Sequence, residues 1–204
     1  RGQVGTSASE FELPAEVVGL AGVRALSAGT ESTCVLLATG QVRCLGNAFI
    51  PDITRADLVD VAASRDGAIS RASDGRVEGY GSARNGLQAV DPIPGDGGTD
   101  DAVVAGVGAE QVAVSAKVAC ALEPDGSVQC WGDVDGRFVD FVPGNASGFV
   151  EVASTFQLGC GRTAAGRVSC WGGLGFDQYL APVDMGLSDV TSIQAAGMMA
   201  CALS

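Results

Sequence analysis

A short segment that recurs along the chain constrains its fold more than any other feature. The clearest copy runs from Cys120 to Gly132 and reads CALEPDGSVQCWG. Pro124, Asp125 and Gly126 fit a three-residue hairpin loop, with Pro and Asp at the centre of a type I turn and Gly in the left-handed position that follows. The segment therefore predicts a β-hairpin.

The turn fixes how the two cysteines of this hairpin face each other. If Glu123 faces Ser127 across the turn, counting outward sets Cys120 directly opposite Cys130. In an antiparallel ladder, a non-hydrogen-bonded pair of this kind has Cα atoms about 4.5 Å apart, which is within reach of a disulfide. We therefore expect a disulfide between Cys120 and Cys130.

Two further copies carry cysteines at the same spacing around the same turn. Cys34 faces Cys44 in one copy, and Cys160 faces Cys170 in the other. The same counting applies, so both pairs are expected to form disulfides. The spacing does not suit structural zinc, whose ligands usually come in pairs two to four residues apart.

Two copies depart from the pattern. In the segment ISRASDGRVEGYG, Ile69 and Gly79 stand where the cysteines would be, so both members of the pair are missing together. The chain ends in Cys201–Ser204, which matches the first strand of another copy. Cys201 is the odd cysteine. It is expected to be unpaired, to bridge to a second chain, or to pair at the usual spacing within a longer chain.

The copies repeat with a period that is typical of propeller blades. Hairpins are expected near residues 34–46, 69–81, 120–132 and 160–172, with an incomplete repeat over 190–204. Units of about 40 residues, made of short strands without helical periodicity, indicate an all-β fold of the β-propeller type. We therefore expect residues 1–204 to form one β-propeller domain, or part of a larger ring.

A short strand rich in small residues precedes each hairpin. Small side chains at one fixed place in every unit indicate strands that converge where there is little room, which in a radial assembly is the central axis. The five segments are Ala25–Gly29, Val61–Ser64, Val112–Ser115, Val152–Thr155 and Ile193–Gly197.

One interval is longer than the others and contains an acidic, glycine-rich insertion. The segment Asp91–Asp101 reads DPIPGDGGTDD and is expected to be an irregular loop on an exposed face. Its carboxylates, and two more after the third hairpin, are oxygen ligands of the kind that calcium takes. They lack the spacing of an EF-hand, so solvated loops are the preferred interpretation and no metal site is expected. These residues are Asp96, Asp100, Asp101, Asp133 and Asp135.

Composition excludes several classes of function. The net charge of −12 opposes binding to nucleic acid or to an anionic membrane, and no run of eighteen apolar residues is present to cross a bilayer. The chain contains no histidine, and Lys117 is its only lysine. A Ser/His/Asp or Cys/His nucleophile is therefore excluded, and we expect neither a cofactor nor an enzymatic activity.

The cysteines also indicate the compartment. Disulfides persist in oxidising environments, so the chain is expected to be extracellular or at the cell surface. Asn145 opens the sequence Asn-Ala-Ser, a glycosylation sequon, in a loop bounded by Pro and Gly. Given a eukaryotic secretory origin, Asn145 is a candidate for glycosylation.

The repeat resembles a known family. A strand of small residues, then CAL, a DG turn, V and CWG resembles the regulator-of-chromosome-condensation repeat, in the cysteine-bearing form common in secreted and cell-surface proteins. The likeness is clearest at Ala119–Gly132 and weakest at Ile69–Gly81. It implies a β-propeller, often of seven blades. This chain has fewer repeats, so either further chain continues the propeller or the ring closes tightly.

Trp131 and Trp171 follow the second cysteine of their hairpins, where Leu45 and Tyr80 stand in other copies. A large apolar residue recurring at one position indicates packing between blades. The alternative is a platform for stacking sugars, which needs exposed rings.

These features lead to a hypothesis about function. We expect a non-enzymatic extracellular or cell-surface propeller that acts as a structural or protein-binding module, within an assembly of chains or with other protein partners. The alternative, which the resemblance implies, is a regulator of an enzyme, either a secreted inhibitor or a GTPase exchange factor. An exchange factor works in the cytosol or nucleus, where these disulfides would not persist. A hydrolase or lyase is disfavoured by the missing histidine.

Overall fold

The structure is a computed structural model in which every regular element of the described residues is a β-strand. The described residues are 17, 19–29, 32–46, 52–64, 67–81, 90–92, 102–115, 118–134, 137–141, 147–156, 158–172, 181–196 and 199–204. Their strands form five small antiparallel sheets, which follow one another along the chain. We call these sheets blades 1 to 5.

Each blade begins with an inner strand and continues outward through a hairpin. Blade 1 contains β1 (Val23–Ala28), β2 (Ser32–Leu37) and β3 (Val42–Gly46). Blade 2 contains β4 (Leu58–Ala63), β5 (Gly67–Ala72), β6 (Arg76–Gly81), β7 (Val90–Pro92) and β8 (Ala102–Gly108). Blade 3 contains β9 (Gln111–Val114), β10 (Val118–Leu122), β11 (Val128–Val134) and β12 (Arg137–Phe141).

The last two blades continue the pattern. Blade 4 contains β13 (Phe149–Ser154), β14 (Leu158–Thr163), β15 (Val168–Gly172) and β16 (Val183–Asp184), and blade 5 contains β17 (Ser192–Ala196) and β18 (Met199–Leu203). The strands β1, β4, β9, β13 and β17 are the inner strands. They coincide with the segments of small residues, so that prediction is confirmed.

The hairpin register is the one that the turn predicts. Cys120 pairs with Cys130, and Ile69 pairs with Gly79 at the same place in blade 2. Gly126 has a φ of 80°, as the left-handed position of the turn requires. The same register around the turn recurs in blades 1 to 4.

The insertion lies within blade 2 and begins differently from the prediction. Asp91 and Pro92, expected to be irregular, belong to β7, which pairs with β8. This is possible because β7 is the edge strand of its sheet, and a proline that ends an edge strand removes no hydrogen bond that the ladder needs. The rest of the insertion, residues 93–101, lies outside the described residues.

The core lies between the blades. Four apolar clusters join blades 1 and 2, 2 and 3, 3 and 4, and 4 and 5, and each contains side chains of both partners. Hydrophobic burial therefore favours the stacking of successive blades. A blade cannot bury its two faces without neighbours.

Candidate functional site

The inner strands of all five blades converge on one cavity of ≈580 Å³. Its walls consist mostly of alanine, valine and serine, so the expectation that small residues mark the axis is confirmed. Five side chains with polar oxygen or nitrogen atoms also line it: Ser27, Asp60, Gln111, Ser154 and Gln194. The cavity is the place where polar groups from different blades meet.

Polar side chains on the inner strands join each blade to the next. The Asp60 carboxylate accepts a hydrogen bond from the backbone N–H of Val112 at 3.3 Å, and the Gln111 side-chain oxygen accepts one from Val152 at 2.9 Å. These two acceptors occupy equivalent positions in their blades. Each lies two residues before an alanine that pairs with the first cysteine position of the hairpin, which is Ile69 in blade 2 and Cys120 in blade 3. Such bonds satisfy backbone N–H groups on the inner edge of a sheet, which have no acceptor within their own sheet.

The junctions of blades 1 and 2 and of blades 4 and 5 have similar hydrogen bonds from other side chains. In blade 1 the equivalent residue is Ala25, and Ser27 instead accepts a hydrogen bond from the N–H of Ala63 at 2.8 Å. In blade 4 the equivalent residue is Glu151, which accepts from the Ser192 hydroxyl at 2.9 Å. Each of the four junctions thus has a side-chain acceptor on or beside the inner strand of its earlier blade that bonds to the following blade.

The electrostatics of Asp60 follow from its position. Burial raises the pKa of its carboxyl group above the ordinary 3.8, while the N–H groups of Val112 and Val61 and the charge of Arg71 act in the opposite direction. Arg71 faces Asp60 across the ladder, as Arg162 faces Glu151 in blade 4. The longer Glu151 reaches Arg162 at 2.7 Å, whereas the Nε atom of Arg71 is buried without a hydrogen bond.

The hairpin turns form a second contact between blades. The backbone carbonyl of Gly126 accepts a hydrogen bond from the N–H of Phe149 at 3.0 Å, and Gly75 and Gly166 accept in the same way from Ala109 and Val190. A Cβ atom at Gly126 would lie 2.9 Å from the backbone nitrogen of the following blade's lead-in residue. All four turn glycines are therefore required by their φ angle, and Gly40, Gly126 and Gly166 also by a close approach to the following blade.

The same contacts place all four turns on one side of the molecule, beside the segments that lead into the next inner strands. We call this side the turn face. It contains the four turns at residues 38–40, 73–75, 124–126 and 164–166 together with residues 56, 109–110, 148 and 189. Exposed carboxylates on the turn face belong to Asp74, Glu110, Asp125 and Asp189.

Three hairpins are closed by disulfides in the structure. The Cα atoms are 4.1 Å apart for Cys34–Cys44, 4.1 Å for Cys120–Cys130 and 4.0 Å for Cys160–Cys170. Cys120 and Cys130 are fully buried between blades 3 and 4. A buried disulfide that packs against a neighbouring blade suits a structural role better than a redox role.

The two tryptophans lie between blades. Trp171 is buried against blade 3, where its indole N–H donates to the sulfur of Cys130 at 3.3 Å, and its ring lies 5.5 Å from that of Phe149 in its own blade. Trp131 is buried against Ile69 of blade 2, and Tyr80 packs in the cluster between blades 1 and 2. The packing interpretation is therefore confirmed, because neither indole ring is exposed for a sugar to stack on.

Blade 2 contains a charged cluster that the sequence did not reveal. The side chain of Glu78 is only 1% exposed, and its carboxylate accepts from Arg55 at 2.6 Å, from Arg76 at 2.8 Å and from the Tyr80 hydroxyl at 2.5 Å. Asp57 contacts both arginines. Hydrogen bonds from Arg55 hold the pKa of the Asp57 carboxyl below its ordinary value.

The remaining predicted residues are not brought to a common site. Cys201 is a free, exposed thiol at the cavity wall. Asp133 lies in β11, and the other calcium candidates, with Lys117 and Asn145, lie outside the described residues. Within the described ranges no three acidic or cysteine side chains form a group suited to a metal ion. Nor do these ranges contain a helix long and apolar enough to cross a bilayer.

The acceptors at the axis are positions of inter-blade contact that sequence reasoning missed. Their signal is a polar residue followed by valine and alanine at the start of an inner strand, as in Asp60-Val61-Ala62, Gln111-Val112-Ala113 and Glu151-Val152-Ala153. The small residues stand out in the sequence because their type recurs, whereas the polar residue before them is Asp, Gln or Glu in different blades.

Comparison with solved structures identifies the architecture. The chain is similar to Prp20p of Saccharomyces cerevisiae, studied for its binding to Gsp1p and histones, with a TM-score of 0.71 and 14% identity over 89% of this chain and 56% of that one. The fold is a β-propeller. Prp20 is also described as yeast RCC1, so the repeat suggested by the sequence has a structural counterpart.

Two other propellers are similar at comparable coverage. Human WBSCR16 matches with a TM-score of 0.66 and 16% identity, over 89% of this chain and 58% of that one. The CRINKLY WD40 ectodomain of the Arabidopsis thaliana receptor kinase ACR4 matches with a TM-score of 0.58 and 18% identity, over 87% and 58%. This chain thus spans a little over half of these propellers. No family model matches the sequence, and no curated protein matches it.

Proposed function

We propose that this chain is a non-enzymatic propeller module, forming one domain, that works outside the cell or at its surface and binds protein partners. The observation that carries the proposal is the closure of three hairpins by disulfides that are packed between blades. Such bonds persist in oxidising compartments and are rare in the cytosol. The likeness to a receptor-kinase ectodomain supports the same compartment.

The arrangement of polar groups supports a binding role over a catalytic one. At the axis, Asp60, Gln111 and Glu151 each use a side-chain oxygen to join two blades. Their chemistry is therefore committed to structure. Propellers hold variable loops on a rigid face, and such loops are common places for protein contacts.

The turn face is the surface that we assign to the partner. The Ser127 hydroxyl donates to Asp125 and holds the pKa of that carboxyl below its ordinary value, so Asp125 is ionised at neutral pH. Asp74, Glu110 and Asp189 add negative charge on the same face. Electrostatic complementarity then favours a partner with a basic surface.

The test compares two matched charge reversals. Glu110→Lys with Asp125→Lys alters the turn face, whereas Asp52→Lys with Asp184→Lys alters exposed carboxylates beside the outer strands. Each protein is immobilised and exposed to the secreted and surface proteins of the source cells, and the retained proteins are identified by mass spectrometry. A protein retained by the wild type and the outer-strand variant, and lost by the turn-face variant, supports the proposal. Equal retention by all three contradicts the assignment of the turn face.

One observation favours the second candidate, regulation of an enzyme. Prp20p has the highest TM-score of the three similar structures and is described by its binding to Gsp1p and histones. This likeness favours an intracellular role of the exchange-factor type. The exchange-factor form of this candidate, unlike a secreted inhibitor, differs from the first candidate in the state of the cysteines. Peptide mapping of the protein purified from its source with thiols blocked decides between them, because seven free thiols would remove the extracellular assignment.

Two site assignments are tested by the same mapping. We propose that Asn145 is glycosylated where the source is eukaryotic, which adds a glycan mass to its peptide. We also propose that Cys201 either stays free or forms a bond outside the three hairpins, to a second chain or at the usual spacing in a longer chain. A peptide that links Cys201 to any of the six hairpin cysteines would contradict this assignment.

A further inference from the structure

Every inner strand has an irregular pairing where it begins. In blades 1, 2 and 4 the register shifts by one residue there, so that Arg24, Val59 and Val150 are the extra residues of β-bulges. Glu110 and Thr191 hold the same place in blades 3 and 5, where each donates its N–H to the residue that pairs with the next position. We call these five residues the rim. Bulges re-aim side chains and are common beside functional sites.

The rim belongs to the turn face. Ala109 and Phe149, which come directly before Glu110 and Val150, donate their N–H groups to the turn of the preceding blade. All five rim residues are exposed, whereas the residue before each of them is buried in blades 2 to 5. The inner strands then continue along the wall of the cavity. The rim is therefore a row of exposed side chains at one end of the axis.

The rim differs from its surroundings within the repeat. The positions that follow it are alike in neighbouring blades, with a polar acceptor, valine and alanine at residues 60–62, 111–113 and 151–153. The rim itself holds arginine, valine, glutamate, valine and threonine in blades 1 to 5. The contacts between blades are made by the repeated residues and not by the rim. A rigid backbone that presents different side chains at one exposed place suits recognition.

Three consecutive rim residues combine an exposed charge with exposed apolar surface. Val59 is 37% exposed in blade 2 and Val150 is 48% exposed in blade 4. Glu110 lies between them in blade 3. The hydrogen bonds between the inner strands, one or two residues further along, hold these three blades side by side. An exposed carboxylate is thus flanked by two exposed apolar side chains.

The Glu110 carboxylate is not neutralised by its neighbours. Among the side chains that the structure describes, none forms a hydrogen bond or an ion pair with it. Other exposed carboxylates do have such partners: Asp52 pairs with Arg43, and Asp74 pairs with Arg76. The charge of Glu110 is therefore available to a molecule that approaches the rim.

We propose that the rim binds an extended segment of the partner protein, in which one basic side chain lies between two apolar ones. The lysine or arginine pairs with Glu110, and the apolar side chains cover Val59 and Val150. Burial of apolar surface supplies affinity, while the charge selects the segment and fixes its register. The inference rests on the proposed function, because the rim is part of the turn face.

The first test is a selection of phage-displayed random peptides on the immobilised 204-residue chain. The enriched peptides are expected to contain lysine or arginine with an apolar residue on each side. The same selection on Glu110→Arg is expected to enrich aspartate or glutamate in place of the basic residue. This variant should fold, because blade 1 has Arg24 at the equivalent position. Absence of enrichment on the wild type, or an unchanged basic motif on the variant, would overturn the proposal.

The second test measures the affinity of the enriched peptides, made synthetically, by fluorescence anisotropy. Val59→Thr with Val150→Thr keeps the β-branched shape and gives both positions the residue type of Thr191. It is expected to weaken binding roughly tenfold, because two methyl groups are no longer buried by the peptide. The controls, Val183→Thr and Asp52→Arg, change exposed residues beside the outer strands and should bind as the wild type does. Equal weakening by rim and control variants contradicts the assignment of the rim.

One more variant separates this inference from the assignment of the turn face. If Glu110→Lys with Asp125→Lys abolishes binding of the peptides while Val59→Thr with Val150→Thr binds them fully, the turn face remains the binding surface and the rim proposal fails. If every variant binds the peptides equally, both assignments fail. All substituted positions are exposed, so each variant is expected to keep the circular dichroism spectrum of the wild type.

Discussion

The hairpins of blades 2 and 3 share a turn, a register and a place in the fold, yet they are stabilised differently. Blade 3 joins Cys120 to Cys130, while blade 2 has Ile69 opposite Gly79 at the same positions. Blade 2 instead contains the buried carboxylate of Glu78, held by two arginines. The comparison shows that the blade does not require the disulfide, provided that other contacts hold the same strands together.

The disulfide of blade 3 and the ion pairs of blade 2 act on different states of the chain. A disulfide stabilises mainly by restricting the unfolded chain, and an eleven-residue loop gives roughly 2 to 3 kcal/mol in the chain-entropy model. A buried ion pair acts in the folded state, where the attraction between charges must offset their loss of hydration. Blade 2 is therefore expected to be sensitive to single substitutions and insensitive to reductant, and blade 3 the reverse.

The largest expected effect comes from removing both cations around Glu78. Arg55→Met with Arg76→Met leaves this carboxylate buried without a counter-charge, which typically costs about 3 to 5 kcal/mol in free energy of unfolding. Urea unfolding at neutral pH measures the loss. Addition of Glu78→Gln is expected to recover most of it, because the charge is then gone. A loss that Glu78→Gln does not reverse would show that the arginines act through their packing.

The sequence predicts the hairpin of blade 3 better than the ion pairs of blade 2, and the reason is physical. The turn Pro124-Asp125-Gly126 and the facing cysteines are set by contacts between neighbours in the chain, so counting residues is enough. The pairing of Arg55 with Glu78 joins residues 23 positions apart, across two strands. No local pattern fixes that distance, because it depends on how β4 and β6 come together.

The axis shows the same limit. The small residues of the inner strands were predictable because they recur with the period of the repeat. The partner of Asp60 is the N–H of Val112, which lies 52 positions along the chain, beyond the insertion. Only the stacking of blade 3 on blade 2 brings them together. The cavity itself and the polar groups that line it likewise follow from tertiary packing.

A smaller effect is expected when the disulfide of blade 3 is removed. Cys120→Ala with Cys130→Ala should lower the free energy of unfolding by roughly 2 to 3 kcal/mol, because the unfolded chain regains the freedom of its loop. Parallel urea titrations with and without reductant check this assignment. The reductant should weaken the parent and have less effect on the variant. An unchanged midpoint in the variant would mean that the Trp171 packing alone holds the hairpin.

The reverse exchange sharpens the comparison. Ile69→Cys with Gly79→Cys places two cysteines at a register position that blade 3 closes with a disulfide, so a bond is expected and a thiol count on the unfolded protein should still find only Cys201 free. The net gain should be below the roughly 2 to 3 kcal/mol of the loop closure, because Ile69 packs in the cluster with Trp131. Two additional free thiols would show that blade 2 holds its strands too far apart.

The smallest expected effect concerns pH and the polar contact between the same two blades. Burial raises the pKa of Asp60 above 3.8, so the folded chain keeps this proton to a higher pH than the unfolded chain does. Between those two pKa values the folded state binds more protons, and the free energy of unfolding therefore falls as pH rises. The loss is complete above the raised pKa.

Asp60→Asn removes this titration while keeping one acceptor oxygen near Val112. From about pH 4 upward, the free energy of unfolding of this variant should fall less steeply with pH than that of the parent. The variant should also be less stable at every pH, because a neutral amide oxygen is a weaker acceptor for the N–H of Val112 than a carboxylate is. Urea unfolding at a series of pH values measures both slopes, with Asp52→Asn at an exposed position as the control. The slope of Asp57, whose pKa is lowered, lies below pH 3.8 and has the opposite sign, so the two are separable. Identical slopes for Asp60→Asn and the parent would place the Asp60 carboxyl in contact with water, and the contact between blades 2 and 3 would then depend on packing alone.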